Sequence, residues 1–431
     1  MNSRPKLYGV LATSLVSVAF AVSQASCGGS FGGSAHPSAD TNAPAEWSAI
    51  AVKSVLDASA VVPGGVSPMD ESRAYAMAFT AAHDALNAID RRYKPYLSDL
   101  RAPDANADAA VASAVSTVLK AVLPSQTAAL DAALATSLAR LPEDGAKAAG
   151  VALGQQTAQA ILAARATDGS ANAPGPYTPA QAPGAYQFTP PFDFAAFVHW
   201  GAVKPFAIDS GNQFRTAAPF ALTDAGYTAD FNEVKSLGEA NSATRTADQT
   251  QIARFWLENT PMSWQRIAMT VSSARRLNGW DQMHLYALLQ VAEADAYVAS
   301  FDSKYFYSFW RPITAIRAAA TDGNPDTTAD LAWTSLEPAP PIPDHASGHA
   351  AAAGAGAAVL ESVFTGPVTF AHQSTSQPGV SRNFVSFAQA EQEIGASRVY
   401  LGIHFRRAVT QGLKQGRQVG GWALQHVMAP K

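Results

Sequence analysis

Three short stretches of this chain carry side chains suited to holding an oxyanion. The first is PDHASGHA, residues 343–350, where Ser347, Gly348 and His349 stand at the head of an Ala- and Gly-rich run that reads as a helix. A helix N-terminus presents unpaired N–H groups and the positive end of the helix dipole, which favour an anion. Gly348 lets an anion approach its N–H closely, Ser347 adds a hydroxyl, and His349 stands where an acid or base is useful. The second is KYFYSFWRPITAI, residues 304–316, with Lys304 and Arg311 among aromatic residues. Seven residues apart, the two cations share a face if the segment is one helix; Pro312 makes a helix start at Arg311 the alternative. The third is SRVYLGIHF, residues 397–405, which places Arg398 and His404 six apart with Gly402 between them. Each stretch also has an ordinary reading: a capped helix with a surface histidine, cations snorkelling over aromatics, and a core histidine. Together they supply three cations, which suits a multiply charged tetrahedral anion, with arginine forks matched to its geometry.

The elements that must bring these stretches together are helical. Apolar residues make up 48% of the 431 residues, which marks a folded chain with ample core. Helical periodicity runs through ESRAYAMAFTAAHDALNAIDRRY, NADAAVASAVSTVLKAVL, SQTAALDAALATSLARL with Ser125 as candidate N-cap, and GAKAAGVALGQQTAQAILAARATDG closing at Gly169. It resumes from ADQTQIARFWLENT onward and continues to RRAVTQGLKQGRQVGGWALQHV. Between them the Pro-rich segment, about 170–215, excludes a long helix yet carries aromatics, so it reads as an ordered loop on the surface. Alternating strand patterns are scarce. The fold class expected is all-α, helical bundles with a long Pro-rich surface loop.

The N-terminus carries Arg4 and Lys6, an apolar Leu7–Val22 stretch and then small residues, so residues 1–26 read as a signal peptide. Residues 27–46 read as a flexible linker, and 47–431 as one helical catalytic domain. The single cysteine, Cys27, excludes an intrachain disulfide and sits where a lipid anchor would attach; anchored export and free secretion both fit. A net charge of −4 without a Lys/Arg run gives no footprint for a nucleic-acid partner.

Lys-(six residues)-Arg-Pro, then Ser-Gly-His, then Ser-Arg-(five residues)-His, in that order, resemble the signature of the vanadium-dependent haloperoxidase and type-2 phosphatidic acid phosphatase superfamily. AMAFTAAHDALNAIDRRYKPY, FVHWGAVKPFAI, ADFNEVKSLG and FDSKYFYSFWRPITAI resemble its bacterial secreted haloperoxidase branch over about residues 47–428. The resemblance implies an all-α fold, and vanadate rather than haem as cofactor. It implies that Lys304, Arg311, Arg398, Ser347 and the Gly348 N–H hold the oxygens, that His404 is the axial vanadium ligand or a phosphatase nucleophile, and that His349 is the acid–base group. Hydrogen peroxide and a halide, or a phosphate ester, would be the partners.

Two positions depart from that pattern. Ala346 stands where proline is usual, and Ala408, four after His404, stands where the phosphatases place an aspartate that orients the histidine. Ala408 therefore argues for peroxidase over phosphatase, and His349 with His404 argues against a third reading, a non-catalytic oxyanion binder. Asp295 and His345 are candidates to steady the cage from behind, and Asp84 is a candidate partner for an arginine.

Overall fold

The computed structural model describes residues 40–62 and 65–431. Among the described residues thirteen α-helices run in order: α1 (Ala43–Val61), α2 (Pro68–Ile89), α3 (Ala107–Val122), α4 (Thr127–Ala139), α5 (Gly145–Arg165), α6 (Ala225–Leu237), α7 (Ala247–Phe255), α8 (Thr260–Ala274), α9 (Gly279–Tyr307), α10 (Pro312–Ala318), α11 (Gly348–Val363), α12 (Phe387–Tyr400) and α13 (Arg406–His426). The described strands are one antiparallel hairpin, β1 (Phe370–Gln373) with β2 (Ser381–Phe384). The all-α reading holds.

At the centre lies α9, 29 residues long and buried on nearly every side, with α2, α11 and α13 packed around it. Its buried surface is built from Leu285, Leu288, Leu289, Val291 and a series of alanines, with Gln290, Glu293 and Asp295 also inside. A second layer, α3 and α5, leans on α2. Helices α11 and α13 pack against each other along much of their length. A Cβ at Gly416 would fall 1.8 Å from the Ala351 carbonyl oxygen, and one at Gly412 would fall 2.6 Å from that of Ser347. No side chain fits at either position, so the two backbones touch. This contact seats the head of α11 beside the turn that precedes α13.

Several local expectations are corrected. Helix α1 begins at Ala43 and buries Ala43, Pro44 and Trp47, so ordered structure reaches into the expected linker; Pro44 is accommodated in the first helical turn. Ser125 lies inside a 3-10 turn, Pro124–Gln126, and α4 starts two residues later. Helix α5 stops at Arg165, and Gly169 takes a left-handed φ of 92° in the turn beyond it. The signal peptide, Cys27 and most of the linker lie outside the described residues.

The Pro-rich segment is laid over the C-terminal end of α9. The Tyr186 N–H donates to the Ser308 carbonyl at 2.7 Å, and the Ala196 N–H to that of Pro341 at 2.8 Å. Tyr186, Thr189 and Trp200 are buried along it.

Candidate active site

Helix α9 ends at Tyr307, and Ser308 turns the chain with φ 44°. Arg311 is then the N-cap residue of α10, with Pro312 in the first helical position. Of the two geometries open to Lys304 and Arg311, the helix start at Arg311 is the one adopted. Lys304, in the last turn of α9 and 1% exposed, donates Nζ to the carbonyls of Pro343 at 2.8 Å and Asp344 at 3.1 Å. Arg311, fully buried, donates Nε to Ile342 O at 2.7 Å and Nη1 to Ile403 O at 2.6 Å and His404 Nε2 at 3.0 Å. Arg398, in the last turn of α12, donates Nη1 to Trp256 O at 3.2 Å.

His404 sits in the turn between α12 and α13. Gly402 makes that turn with φ 78°, and a Cβ there would fall 2.3 Å from the Gly238 carbonyl oxygen. The His404 Nδ1 donates to Asp344 Oδ1 at 2.8 Å. Arg311 has only donors, so the nitrogen it meets, Nε2, must be the unprotonated one. Both neighbours thus select one tautomer, with the proton on Nδ1 and the lone pair on Nε2. Burial, then Arg311, Lys304 and Arg398, hold His404 well below the ordinary histidine range, so it is neutral and the Asp344 contact is a hydrogen bond. Burial pushes the Asp344 carboxyl up to about 7, against the pull of Arg311 and Lys304.

Lys304, Arg311, Gly348, His349, Arg398 and His404 line one cavity of about 550 Å³. Sequence stretches about 100 residues apart are thereby joined through α9, α11 and the α12–α13 turn. Ser347 stands slightly behind: it is fully buried as the N-cap of α11, its Oγ accepts from the Ala350 N–H at 3.4 Å, and its N–H is held by the Ala408 carbonyl at 3.0 Å. His349, second in α11, is held well below the ordinary range by burial and then by Arg398, Lys304 and Arg311, so it is neutral and able to accept a proton. Burial lowers Arg398 to about 9 and lowers Lys304 strongly, each reinforced first by Arg311.

Four buried donor or acceptor atoms of cavity-lining residues find no partner within the protein: Arg311 Nη2, Arg398 Nε, His349 Nε2 and the Tyr297 hydroxyl. Buried polar groups are nearly always satisfied, so four orphans around one cavity call for a polar ligand. Two of them are arginine nitrogens, and no cluster of three His, Cys, Asp or Glu side chains suited to a bare metal ion occurs among the described residues. The residues fit a tetrahedral oxyanion, vanadate or phosphate, with His404 Nε2 beside the three cations.

Asp344 is the residue that sequence reasoning missed. It lies inside PDHASGHA, five before His349, and does for His404 what an aspartate at position 408 was expected to do. Ala408 is buried in the first turn of α13, where its carbonyl steadies Ser347. The absence of a carboxylate at 408 therefore leaves His404 oriented, and it does not weigh against phosphatase chemistry. The sequence signal was a carboxylate flanked by proline and histidine in a loop rich in small residues.

Asp295 does not pair with Lys304 or Arg398; its carboxylate accepts the backbone N–H groups of Phe206, Ala207 and Ile208 at 2.6, 2.6 and 2.9 Å. Asp84 likewise takes the N–H groups of Tyr96, Leu97 and Ser98 at 2.6 to 2.8 Å rather than an arginine. His345 is fully buried and faces away from the cavity, with Nε2 at 2.8 Å from Ala217 O and 3.0 Å from Thr216 Oγ1. All three pin loops, because a buried polar side chain next to a loop has orphan backbone groups within reach.

The family model for the VCPO second helical-bundle domain matches residues 284–430. Vanadium chloroperoxidase from Curvularia inaequalis is 30% identical over 198 aligned residues, covering 38% of this chain and 32% of that protein. The match thus spans about a third of the length of that curated relative. The crystal structure of a bacterial vanadium-dependent iodoperoxidase superposes with TM-score 0.78 at 26% identity, covering 89% of this chain and 97% of that one. A holo bacterial vanadium-dependent chloroperoxidase superposes with TM-score 0.67 at 20% identity over 83% and 92% of the two chains, a likeness of fold. The matched model lies on the segment that carries Lys304, Arg311, Gly348, His349, Arg398 and His404, and the fold is shared with the iodoperoxidase over 89% of this chain; these likenesses support the vanadium haloperoxidase superfamily.

Proposed function

We propose that this protein is a vanadium-dependent haloperoxidase that oxidises a halide with hydrogen peroxide. The observation that carries the reading is the neutral His404, its Nε2 lone pair fixed toward a cage of three buried cations by Asp344 and Arg311. When bound, vanadate supplies a Lewis-acid centre that activates hydrogen peroxide. The chain's own part is electrostatic and geometric. Lys304, Arg311 and Arg398 neutralise the oxyanion in a site their burial keeps dry, where such contacts are worth more than in water. The Gly348 N–H and Ser347 at the head of α11 add neutral donors. His349 Nε2, without a protein partner, takes a proton from incoming hydrogen peroxide and returns it to the leaving oxygen. A similar structure is that of a bacterial iodoperoxidase, so iodide is the halide to test first. The signal-peptide pattern at residues 1–26 supports export, with Cys27 as a lipid-anchor position.

A second reading, an acid phosphatase with His404 as nucleophile and His349 as acid, is favoured by the Asp344–His404 hydrogen bond, the base-and-orienter pairing nucleophilic catalysis needs. One experiment separates the two. Protein freed of oxyanions is assayed with and without orthovanadate for iodide and bromide oxidation and for p-nitrophenyl phosphate hydrolysis. Vanadate-dependent halide oxidation that phosphate inhibits supports the haloperoxidase; phosphate-ester turnover that vanadate abolishes supports the phosphatase. Halide oxidation unaffected by removing vanadate defeats the first reading.

A further inference from the structure

A second and much smaller cavity adjoins Asp344. It measures about 10 Å³, room for a single water. Tyr227, Asp344, His345 and Ala408 line it. Three of these carry a buried polar atom that has no partner within the protein: the Tyr227 hydroxyl, Asp344 Oδ2 and His345 Nδ1. Asp344 Oδ2 is the second oxygen of the carboxylate whose Oδ1 accepts from His404 Nδ1 at 2.8 Å. The other polar residues of the wall, Asp230 and Arg407, are engaged elsewhere. Asp230 Oδ2 accepts the Arg407 N–H at 2.6 Å, and the Arg407 guanidinium donates to Ala218 O at 3.1 and 3.2 Å.

The three atoms define what fits between them. Burial lowers His345 to about 4, so the ring is neutral. The Ala217 carbonyl, which can only accept, takes its Nε2 proton at 2.8 Å. Nδ1 is therefore an acceptor. The carboxylate oxygen accepts as well, and the tyrosine hydroxyl donates. A molecule that donates twice and accepts once satisfies all three, and three hydrogen bonds are usual for a buried water. A metal cation is opposed by Arg311 and Lys304, whose charges act on the same carboxylate. Ala408, in the first turn of α13, leaves the space open because its side chain is a single methyl.

We propose that one buried water, held by Tyr227 and His345, fixes the Asp344 carboxylate in the position from which Oδ1 orients His404, so that Tyr227 and His345 are positioning residues for the oxyanion site. The proposal rests on the reading that His404 meets vanadate through Nε2, and it lengthens the orienting chain by one water and two side chains. Without that water Oδ2 is a buried acceptor left unsatisfied. The carboxylate is then drawn toward Arg311 and Lys304, which already pull on it, and away from His404 Nδ1.

The test uses the full chain and two replacements of nearly equal volume. Ala408→Val and Ala408→Thr both grow into the cavity and displace the water, and only threonine brings a hydroxyl in its place. A direct partner behind a metal-ligating histidine is worth about 10–100-fold in affinity, so Ala408→Val, one step further out, should weaken vanadate about fivefold in equilibrium dialysis. Ala408→Thr should stay within about twofold of the parent, and Tyr227→Phe, which removes the donor alone, should lose about two- to threefold. Phosphate affinity should hold in all three. In protein carrying 15N-histidine, the downfield His404 Nδ1 proton, assigned with His404→Ala, should move upfield in Ala408→Val and Tyr227→Phe and stay in place in Ala408→Thr. A crystal structure of the parent should show a water within hydrogen-bond distance of the Tyr227 hydroxyl, Asp344 Oδ2 and His345 Nδ1. Absence of that water, an equal loss in the valine and threonine variants, or an unchanged vanadate affinity in folded Ala408→Val overturns the proposal. If neither Ala408 variant folds, Tyr227→Phe decides by the same two readouts. If the parent binds no vanadate, the vanadate reading fails, and the His404 proton still decides: movement in the valine variant alone supports the positioning role, and no movement ends it.

Discussion

Replacing Asp344 by asparagine tests how His404 is held. The 2.8 Å contact joins two side chains that are both nearly inaccessible, 1% and 5% exposed. A buried hydrogen bond with a charged partner contributes about 1.5–3 kcal/mol, and losing the partner behind a metal-ligating histidine costs about 10–100-fold in affinity. The two ranges agree, since tenfold is about 1.4 kcal/mol. Asparagine can still accept from Nδ1, and Arg311 still disfavours a proton on Nε2. Asp344→Asn is therefore expected at the lower end, about tenfold weaker for vanadate, and Asp344→Ala, which leaves Nδ1 without an acceptor, near 100-fold. Phosphate should behave oppositely. It draws on the three cations and not on a bond to Nε2, and removing a carboxylate from among those cations raises the local positive potential. Phosphate affinity should hold or improve in both variants. Equilibrium dialysis of vanadate, with phosphate as competitor, measures both, and a thermal melt confirms folding. Unchanged vanadate affinity, or parallel loss of both anions in a folded variant, refutes the orienting role.

Further outcomes follow from the same geometry. His404→Ala should weaken vanadate more than either Asp344 variant, while His349→Ala should keep binding and lose about 100-fold in turnover, read as halide oxidation at saturating vanadate; equal loss of vanadate binding in both contradicts the division of roles. Burial pushes the Glu71 carboxyl up to about 8, so the folded state binds that proton more tightly than the unfolded chain. Its stabilisation is complete below the ordinary carboxyl range and is lost as pH rises through 8, at about 1.4 kcal/mol per pH unit. The Tm should fall from pH 5 to pH 9 less steeply in Glu71→Gln, and identical slopes refute the assignment. Gly416→Ala should cost about 2 kcal/mol or more in stability, because the new methyl meets the Ala351 carbonyl, whereas Gly421→Ala, in the same helix with nothing within 4 Å, should stabilise by about 0.5–1 kcal/mol. Denaturant melts compare them, and equal shifts contradict the backbone contact.

The sequence was most informative where several stretches occur together in a fixed order. Lys304, Arg311, Gly348, His349, Arg398 and His404 each sit in a stretch with an ordinary reading of its own, and they became legible through the order and spacing of the three stretches and the resemblance these carry. Long apolar periodicity made the helices legible. What stayed hidden depends on tertiary neighbours. Asp344 was in plain view, but its role exists only because the α12–α13 turn carries His404 Nδ1 to its carboxylate. Asp295 and Asp84 looked like partners for arginine, and what meets each of them is a row of loop N–H groups from a segment 12 or more residues away. Ser347 was read as facing an anion, and the helix it starts claimed its oxygen as a cap.

The backbone contact between α11 and α13 has a thermodynamic meaning. His349 and Gly348 ride on one of those helices, and His404 precedes the other by a single turn. With Gly412 and Gly416 pressed against carbonyl oxygens, the spacing between the two histidines is set by main chain and not by adjustable side chains. The conformational entropy of bringing donors, lone pair and acid–base group into register is lost once, when the bundle forms. An arriving oxyanion then meets a backbone frame already in place, and the adjustment left to binding is among side chains, such as the Arg311 contact on His404 Nε2.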